Sequence, residues 1–453
     1  MKSEMVQARD LSAFLNDLGD VPFSQEPSLV RRRSRDYFWY SQALAEQLEG
    51  KKADVVVTPR NETDVLRLAA AAARHRVPVT PRGAGTGNYG QSVPLAGGVL
   101  LDMSEMVAME AFTPGLVRTQ PGARMHLLDA ELREKGWEQR LHPSTKRTAT
   151  VGGFVAGGSG GVGSVTWGGL REPGNVIAAR VVTLEETPRI IELRGDAAQR
   201  VNRAYGTTGI LTALEMPLAP AWDWVDVAVA FDSFPAACAF GHAVALADGI
   251  VKKLITPITW PLPSYFGPFA DVCPAGKSLL IAMIARPSLE TFKVLLGRDG
   301  EIVHEAPFDE SAGQTPLYEY TWNHTTLQVL KADRGFTYQQ CLFPAERVLD
   351  SVAEMTALFG DEIWHHLEFI RFGGKVTASA LPVVRFTSVE RLFEIVAIYE
   401  SHGVLVANPH VYTLEDGSRH KRADADQIGF KAEVDPHNLL NPGKMRSYQA
   451  VRP

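Results

Sequence analysis

Between residues 53 and 102 the apolar positions change rhythm several times. Val55-Val56-Val57 is an unbroken β-branched run and predicts a buried strand, closed by Pro59. Asn61 then precedes Val65, Leu68, Ala69 and Ala72, which recur at helical spacing, so a helix capped by Asn61 is expected. That helix leads into a second strand, Val77 to Thr80, completing a β-α-β unit, and Val99-Leu100-Leu101-Asp102 reads as a third strand. A second strand–turn–helix unit follows: Leu116 to Gln120, the turn Pro121-Gly122, and a helix from about Arg124 to Lys135 ended by Gly136. Upstream, a short amphipathic helix is expected near Leu11–Leu18.

Two glycine runs interrupt this pattern. The first, Gly85-Thr86-Gly87-Asn88-Tyr89-Gly90, formally fits G-x-G-x-x-G. That spacing marks a dinucleotide site only when the glycines open a helix whose N-terminus receives the pyrophosphate. Here Val93, Pro94 and Gly97-Gly98 lead into a strand instead, so the Rossmann reading is rejected. A strand–loop–strand arrangement presents successive backbone N–H groups as an anion nest. The second run occupies Thr150 to Ser164. The nine glycines between Gly152 and Gly169 argue against a purely packing role. Together the runs suggest two walls of one site for a long, phosphate-bearing ligand.

Composition narrows the picture. A chain of 453 residues is too long for one ordinary core, so two or more domains are expected. With 46 basic against 52 acidic residues the net charge is −6, which argues against a nucleic-acid partner. Cys238, Cys273 and Cys341 form no metal motif and no disulfide framework. The N-terminal stretch lacks the apolar core of a signal peptide and no segment reaches membrane-spanning length, so no transmembrane segment and a cytoplasmic location are expected.

Five segments in order resemble the vanillyl-alcohol oxidase/p-cresol methylhydroxylase superfamily, the FAD-linked oxidases. They are Ala53–Val65, Val77–Gly87, Thr150–Gly161, Tyr205–Thr212 and the closing Asp435–Lys444. The resemblance is nearest to the glycolate oxidase subunit and D-lactate dehydrogenase branch. It implies an α+β, two-domain PCMH-type FAD-binding fold with an antiparallel-sheet substrate (cap) domain. The boundaries expected are an N-terminal extension over 1–48, the FAD-binding domain over 49–221, the cap over 222–425, and a segment returning to the FAD domain over 426–453. The basic, aromatic stretch Arg31 to Tyr40 is expected to lay its aromatics on the FAD domain. A second reading sends some of its arginines to an anionic substrate or the flavin phosphates.

The resemblance also assigns residues. The first loop, Pro81, Arg82, Gly83, Ala84, Gly85, Thr86 and Gly87, would cradle the pyrophosphate, with Asn88, Gln91 and Ser92 adding polar contacts. Pro143, Thr150, Gly152, Gly153, Gly158, Ser159, Gly160, Gly163 and Ser164 would wrap the flavin side. Gly206, Gly209 and Ile210 match the strand that meets the cofactor's edge, and Asn441 and Lys444 match the closing N-P-G-K. Covalently flavinylated relatives usually carry a histidine where this chain has Thr86, so FAD is expected to be held non-covalently.

The activity implied is hydride removal from an alcohol-type carbon to flavin N5, the substrate being a 2-hydroxy acid or an aromatic alcohol or phenol. Oxygen or another redox partner would accept the electrons, and oligomeric state is left open, a homo-oligomer included. An electron-transfer flavoprotein subunit and a redox-neutral or reductive flavoenzyme are the alternatives. The reaction needs a base for the hydroxyl proton, and imidazole starts near the operating pH. His410 is the first candidate, then His324 and His366. Arg371 with Glu368 would bind a carboxylate or position a hydroxyl, and Tyr318, Tyr320 and Tyr338 would line an aromatic pocket. The paired-histidine and Glu-His-Gly metal pattern of the branch is not matched. On a strand His365 and His366 would point to opposite faces and could not both be ligands; His366 and Glu368 would share a face, but no metal is expected.

Overall fold

The computed structural model describes residues 11–158, 160–310, 315–415 and 423–448. The expected β-α-β unit forms at Val55–Val57, Glu62–Arg74 and Val79–Arg82. Asn61 caps the helix, its side-chain oxygen accepting the Asp64 N–H at 2.9 Å. The second strand lies two residues later than its apolar run suggested. The Val77 N–H is taken by Ala72 at the helix end, and proline 78 has no N–H for a ladder. These strands and Val99–Asp102 pair in parallel, and Phe23–Ser24 adds an antiparallel edge. No helix intervenes between Arg82 and Val99, so the glycine loop joins two strands.

The second strand–turn–helix unit does not extend this sheet. Its strand, Leu116–Thr119, pairs antiparallel with the long strand Ile210–Pro220, almost a hundred residues away. Met109–Thr113, Ala178–Val182, Ile190–Arg194 and Trp137–Gln139 complete a six-stranded sheet. The helix Met125–Glu134 and the glycine-bearing helix Val151–Gly157 share one core with this second sheet.

From Trp224 onward every sheet is antiparallel. A four-stranded sheet, Lys252–Ile258, Ser278–Ala285, Trp224–Phe231 and Glu301–Pro307, forms the middle of this half. Its apolar face shares one core with the helices Phe234–Leu246, Leu289–Leu296, Val348–Phe359 and Val389–Ser401. The chain then returns to its beginning. Leu440 bridges Val79, and Leu439 and Leu440 lie in the same core as Val55, Val57 and Leu101. The N-terminal helix Ser12–Leu18 buries Phe14 and Leu18 in that core as well. No helix among the described residues is long and apolar enough to cross a membrane.

Candidate active site

An open cleft of about 1530 Å³, mouth included, lies between the glycine loops and the antiparallel half. Its first wall is the loop Gly83 to Asn88, preceded by Pro81 and followed by Gln91 and Ser92. The loop's carbonyls face away from the cleft: Gly87 accepts the Tyr37 N–H at 2.8 Å, and Ala84 accepts Arg82 at 3.0 Å. Among the described residues, the N–H groups of Gly85, Thr86, Gly87 and Asn88 have no acceptor. Successive backbone N–H groups turned to a cavity form a nest that fits an anionic ligand.

Arg82 lines the cleft, yet its guanidinium folds back beneath the loop. It donates to the carbonyls of Arg35 at 2.7 Å and Ala84 at 3.0 Å. Gly85 makes this possible. Its φ is +68°, and a Cβ there would stand 2.0 Å from the guanidinium carbon. Asp36 is buried beside Arg82 and Lys444. Burial pushes its carboxyl up to about 6 against the pull of those two cations, and burial pushes Lys444 down to about 7. Lys444 of the closing motif, which could either reach the flavin or pin the C-terminus, does not line the cleft; its Nζ donates to the Gly90 carbonyl at 2.6 Å. Asn441 is likewise behind the loop, donating to the carbonyls of Gln91 at 2.8 Å and Tyr205 at 2.7 Å. The closing motif therefore ties two cleft-lining segments together from outside.

The second wall is the helix Val151–Gly157, capped by the Thr150 hydroxyl, which accepts the Gly153 N–H at 3.2 Å. Glycine in a helix is destabilising by about 1 kcal/mol relative to alanine, so packing must hold this one together. At Gly152 a Cβ would stand 2.5 Å from the Pro121 side chain, so the helix lies where only glycine fits. Thr150, Gly152, Gly153, Gly160 and Pro143 line the cleft, and Gly209 and Ile210 close its far side. Gly158, Gly163 and Ser164 do not line it. Gly158 backs onto Arg203, the Gly163 N–H donates to the Lys253 carbonyl at 2.7 Å, and Ser164 accepts from the Gly161 N–H at 3.0 Å. Ser159 lies outside the described residues.

The antiparallel half supplies the third side through Trp322, Asn323, His324, Gln340 and Leu381. His324 is the one candidate base among the three that lines the cleft. Burial pushes its imidazolium down to about 4, with a hydrogen bond to the Glu319 carbonyl working the other way. A neutral imidazole has one ring nitrogen able to accept a proton. His410 is placed elsewhere: its Nδ1 meets the Ser41 hydroxyl at 2.8 Å and its ring stands edge-on to Tyr338. His366 and Glu368 lie beneath the cleft wall, 3.8 Å apart and fully buried. His365 lies between the strands Ile363–Trp364 and Leu367–Phe372, not on one as expected, and its ring meets the Tyr399 hydroxyl at 2.8 Å. Arg371 pairs with Asp248 at the surface. Of the tyrosines, Tyr318 donates to Glu310 at 2.7 Å, Tyr320 stacks on Phe266, and Tyr338 is buried edge-on to Tyr40. None of these three lines the cleft.

Tyr40, Tyr89, Tyr205, Ser144 and Thr145 line it without having been singled out. Tyr40 belongs to the basic, aromatic stretch, and Phe38 of that stretch is buried as expected. Its arginines do not reach the cleft: Arg33 pairs with Asp102 and Arg35 with Glu49. No local pattern marks Ser144 and Thr145, which enter only because Pro143 follows the bridge between His142 and Val162.

Residues 53–192 match the FAD binding domain family. The glycolate oxidase subunit GlcD of Bacillus subtilis is 32% identical over 178 residues, which are 37% of this chain and 37% of that protein. A D-lactate dehydrogenase of Archaeoglobus fulgidus is 23% identical over 93% of this chain and 94% of its own length. Among solved structures, an alkyldihydroxyacetonephosphate synthase superposes with a TM-score of 0.71 at 15% identity, covering 98% of this chain and 88% of that one. The chain is thus a flavoprotein, with FAD as its cofactor and a PCMH-type FAD-binding fold. Over the matched segments it is similar to FAD-linked oxidases of the glycolate oxidase subunit and D-lactate dehydrogenase branch.

Proposed function

We propose that this protein oxidises the alcohol carbon of a 2-hydroxy acid, with His324 as the base. FAD bound in the cleft would supply the hydride acceptor. Backbone N–H groups of Gly85 to Asn88 bind its pyrophosphate, and Thr150, Gly152 and Gly153 shape the opposite wall. The His324 imidazole accepts the substrate's hydroxyl proton as the C–H bond gives up its hydride, leaving a 2-oxo acid. Trp322 and Leu381 exclude water from that end. Oxygen or a redox partner takes up the two electrons, and FAD is held without a covalent bond because Thr86 offers no imidazole. A cytoplasmic location belongs to the same reading.

The observation that carries this is the juxtaposition of a neutral, half-buried imidazole with the two glycine walls in one cleft. The relatives named for glycolate and D-lactate support the substrate class. A second reading, an aromatic alcohol or phenol, is favoured by Tyr40, Tyr89 and Trp322 on the same cleft. Anaerobic mixing with D-lactate, glycolate and benzylic alcohols tests both. Bleaching of the flavin by a 2-hydroxy acid is expected. Bleaching only by aromatic alcohols selects the second reading, and no bleaching by either leaves the electron-transfer or redox-neutral alternatives. In acid precipitation the flavin should appear in the supernatant; colour in the washed pellet would overturn non-covalent binding.

A further inference from the structure

Glu368 is buried on the strand Leu367–Phe372, and both of its oxygens are engaged. Oε1 accepts the backbone N–H of Trp322 at 2.6 Å, and Oε2 accepts the Thr256 hydroxyl. Trp322 itself has φ 53° and ψ −141°, a conformation that bulky residues adopt only when their surroundings impose it. The residues directly after this corner, Asn323 and His324, begin the helix Asn323–Ala332 and line the cleft. The corner is gripped on the other side as well: a Cβ on Gly160 would stand 2.9 Å from the Trp322 ring. Strain of this kind, adjacent to a candidate base and anchored by a buried carboxylate, points from observed geometry to a role.

We propose that Glu368 is a positioning residue, whose hydrogen bond to the Trp322 N–H sets the corner that aims His324 into the cleft. The proposal rests on the reading of His324 as the base. It differs from substrate binding by Glu368, since the carboxylate faces the corner rather than the cleft. It also differs from packing alone, because it requires an acceptor at one place. Glu368→Gln keeps an acceptor oxygen at that reach, and its amide can donate to the Thr256 hydroxyl. Glu368→Asp keeps the charge but withdraws the oxygens by one methylene, beyond hydrogen-bonding distance of the Trp322 N–H.

Both variants should bind FAD as the wild type does. With D-lactate, the limiting rate of flavin reduction should fall about 10²-fold in Glu368→Asp, the scale of a misplacement near 1 Å, while the D-lactate dissociation constant changes little. Glu368→Gln should stay within about threefold of wild type. A readout independent of turnover comes from NMR titration of histidine-labelled apoprotein, with His324→Ala as the assignment. Burial holds His324 down to about 4; in Glu368→Asp its midpoint should move up toward the ordinary value of about 6.5. A wild-type rate and an unmoved midpoint in Glu368→Asp would overturn the proposal, as would equal losses in both variants. If His324→Ala reduces its flavin normally, the base reading fails, whereas the titration still judges whether Glu368 positions His324.

Discussion

A valine at position 85 meets the Arg82 guanidinium before it meets any ligand, because a Cβ there would lie 2.0 Å from it. Gly85→Val should therefore do two things. It should cost roughly 2 kcal/mol of stability from the left-handed backbone and the displaced arginine, and it should abolish FAD binding by distorting the nest. Urea unfolding and flavin absorbance measure the two; full flavin content would remove the loop from the site. For His324 the expectation is kinetic. His324→Ala should reduce its flavin about 10²–10⁴-fold more slowly at unchanged FAD content, and His410→Ala only within a few-fold of wild type. A base must be deprotonated, and burial holds His324 down to about 4. The reduction rate should then be flat from neutral pH to about 5 and fall only as pH drops through about 4. A limb near 6.5 would point to a base other than His324.

At the scale of elements, the closing motif acts as a brace. Asn441 holds Gln91, from the first glycine loop, and Tyr205, from the turn before the long strand, with one amide group. Both partners line the cleft. Asn441→Ala leaves two buried carbonyls without that donor, a cost of about 1–3 kcal/mol. FAD affinity should weaken in parallel, measured by fluorescence titration of the apoprotein. If stability drops and affinity does not, the brace serves the fold alone. The helix Val151–Gly157 shows the converse dependence: its glycines disfavour helix, and the close approach of Pro121 is what makes them necessary.

Across the whole molecule the two halves meet through buried charge. Lys146 is 1% exposed and bonds Asp129 at 2.7 Å and Glu310 at 2.8 Å, while Lys253 bonds Glu138 at 2.6 Å. Glu138 also receives the Trp224 indole N–H at 2.9 Å. Removing one partner of such a set strands the others, so Lys146→Met should destabilise the protein by roughly 3–5 kcal/mol. Burial alone would raise the Asp129 carboxyl, but the Lys146 and Lys253 charges outweigh it and hold it well below the usual carboxylate range. A carboxyl depressed in the folded state contributes stability that is present above its unfolded value of about 3.9 and lost as pH falls below it. Wild-type stability should accordingly drop steeply below about pH 4, and Lys146→Met should show a shallower acid limb in urea midpoints taken across pH. Equal limbs would mean the network carries little of the pH dependence.

Sequence alone determined the parts whose cause is local. The helix capped by Asn61, the strand Val99–Asp102, the non-Rossmann glycine loop and the two-walled cleft all follow from apolar spacing and from where only glycine is tolerated. The FAD motifs were legible for the same reason, since backbone that must approach a ligand leaves a compositional trace. Arg82, Asn441 and Lys444 were found by motif, but which way each side chain turns was not legible, because a motif names a residue and not the face it turns to. The catalytic side was least legible. His324, His366 and His410 look alike along the chain, and a histidine's chemistry depends on what surrounds it after folding. Only the tertiary structure placed His324 on the cleft, His410 against Ser41 and His366 beneath the wall. It did so through contacts spanning tens to hundreds of residues, such as Glu368 to Trp322 and Ser41 to His410. Such contacts bury side chains and fix their protonation, and no periodicity in the sequence encodes them.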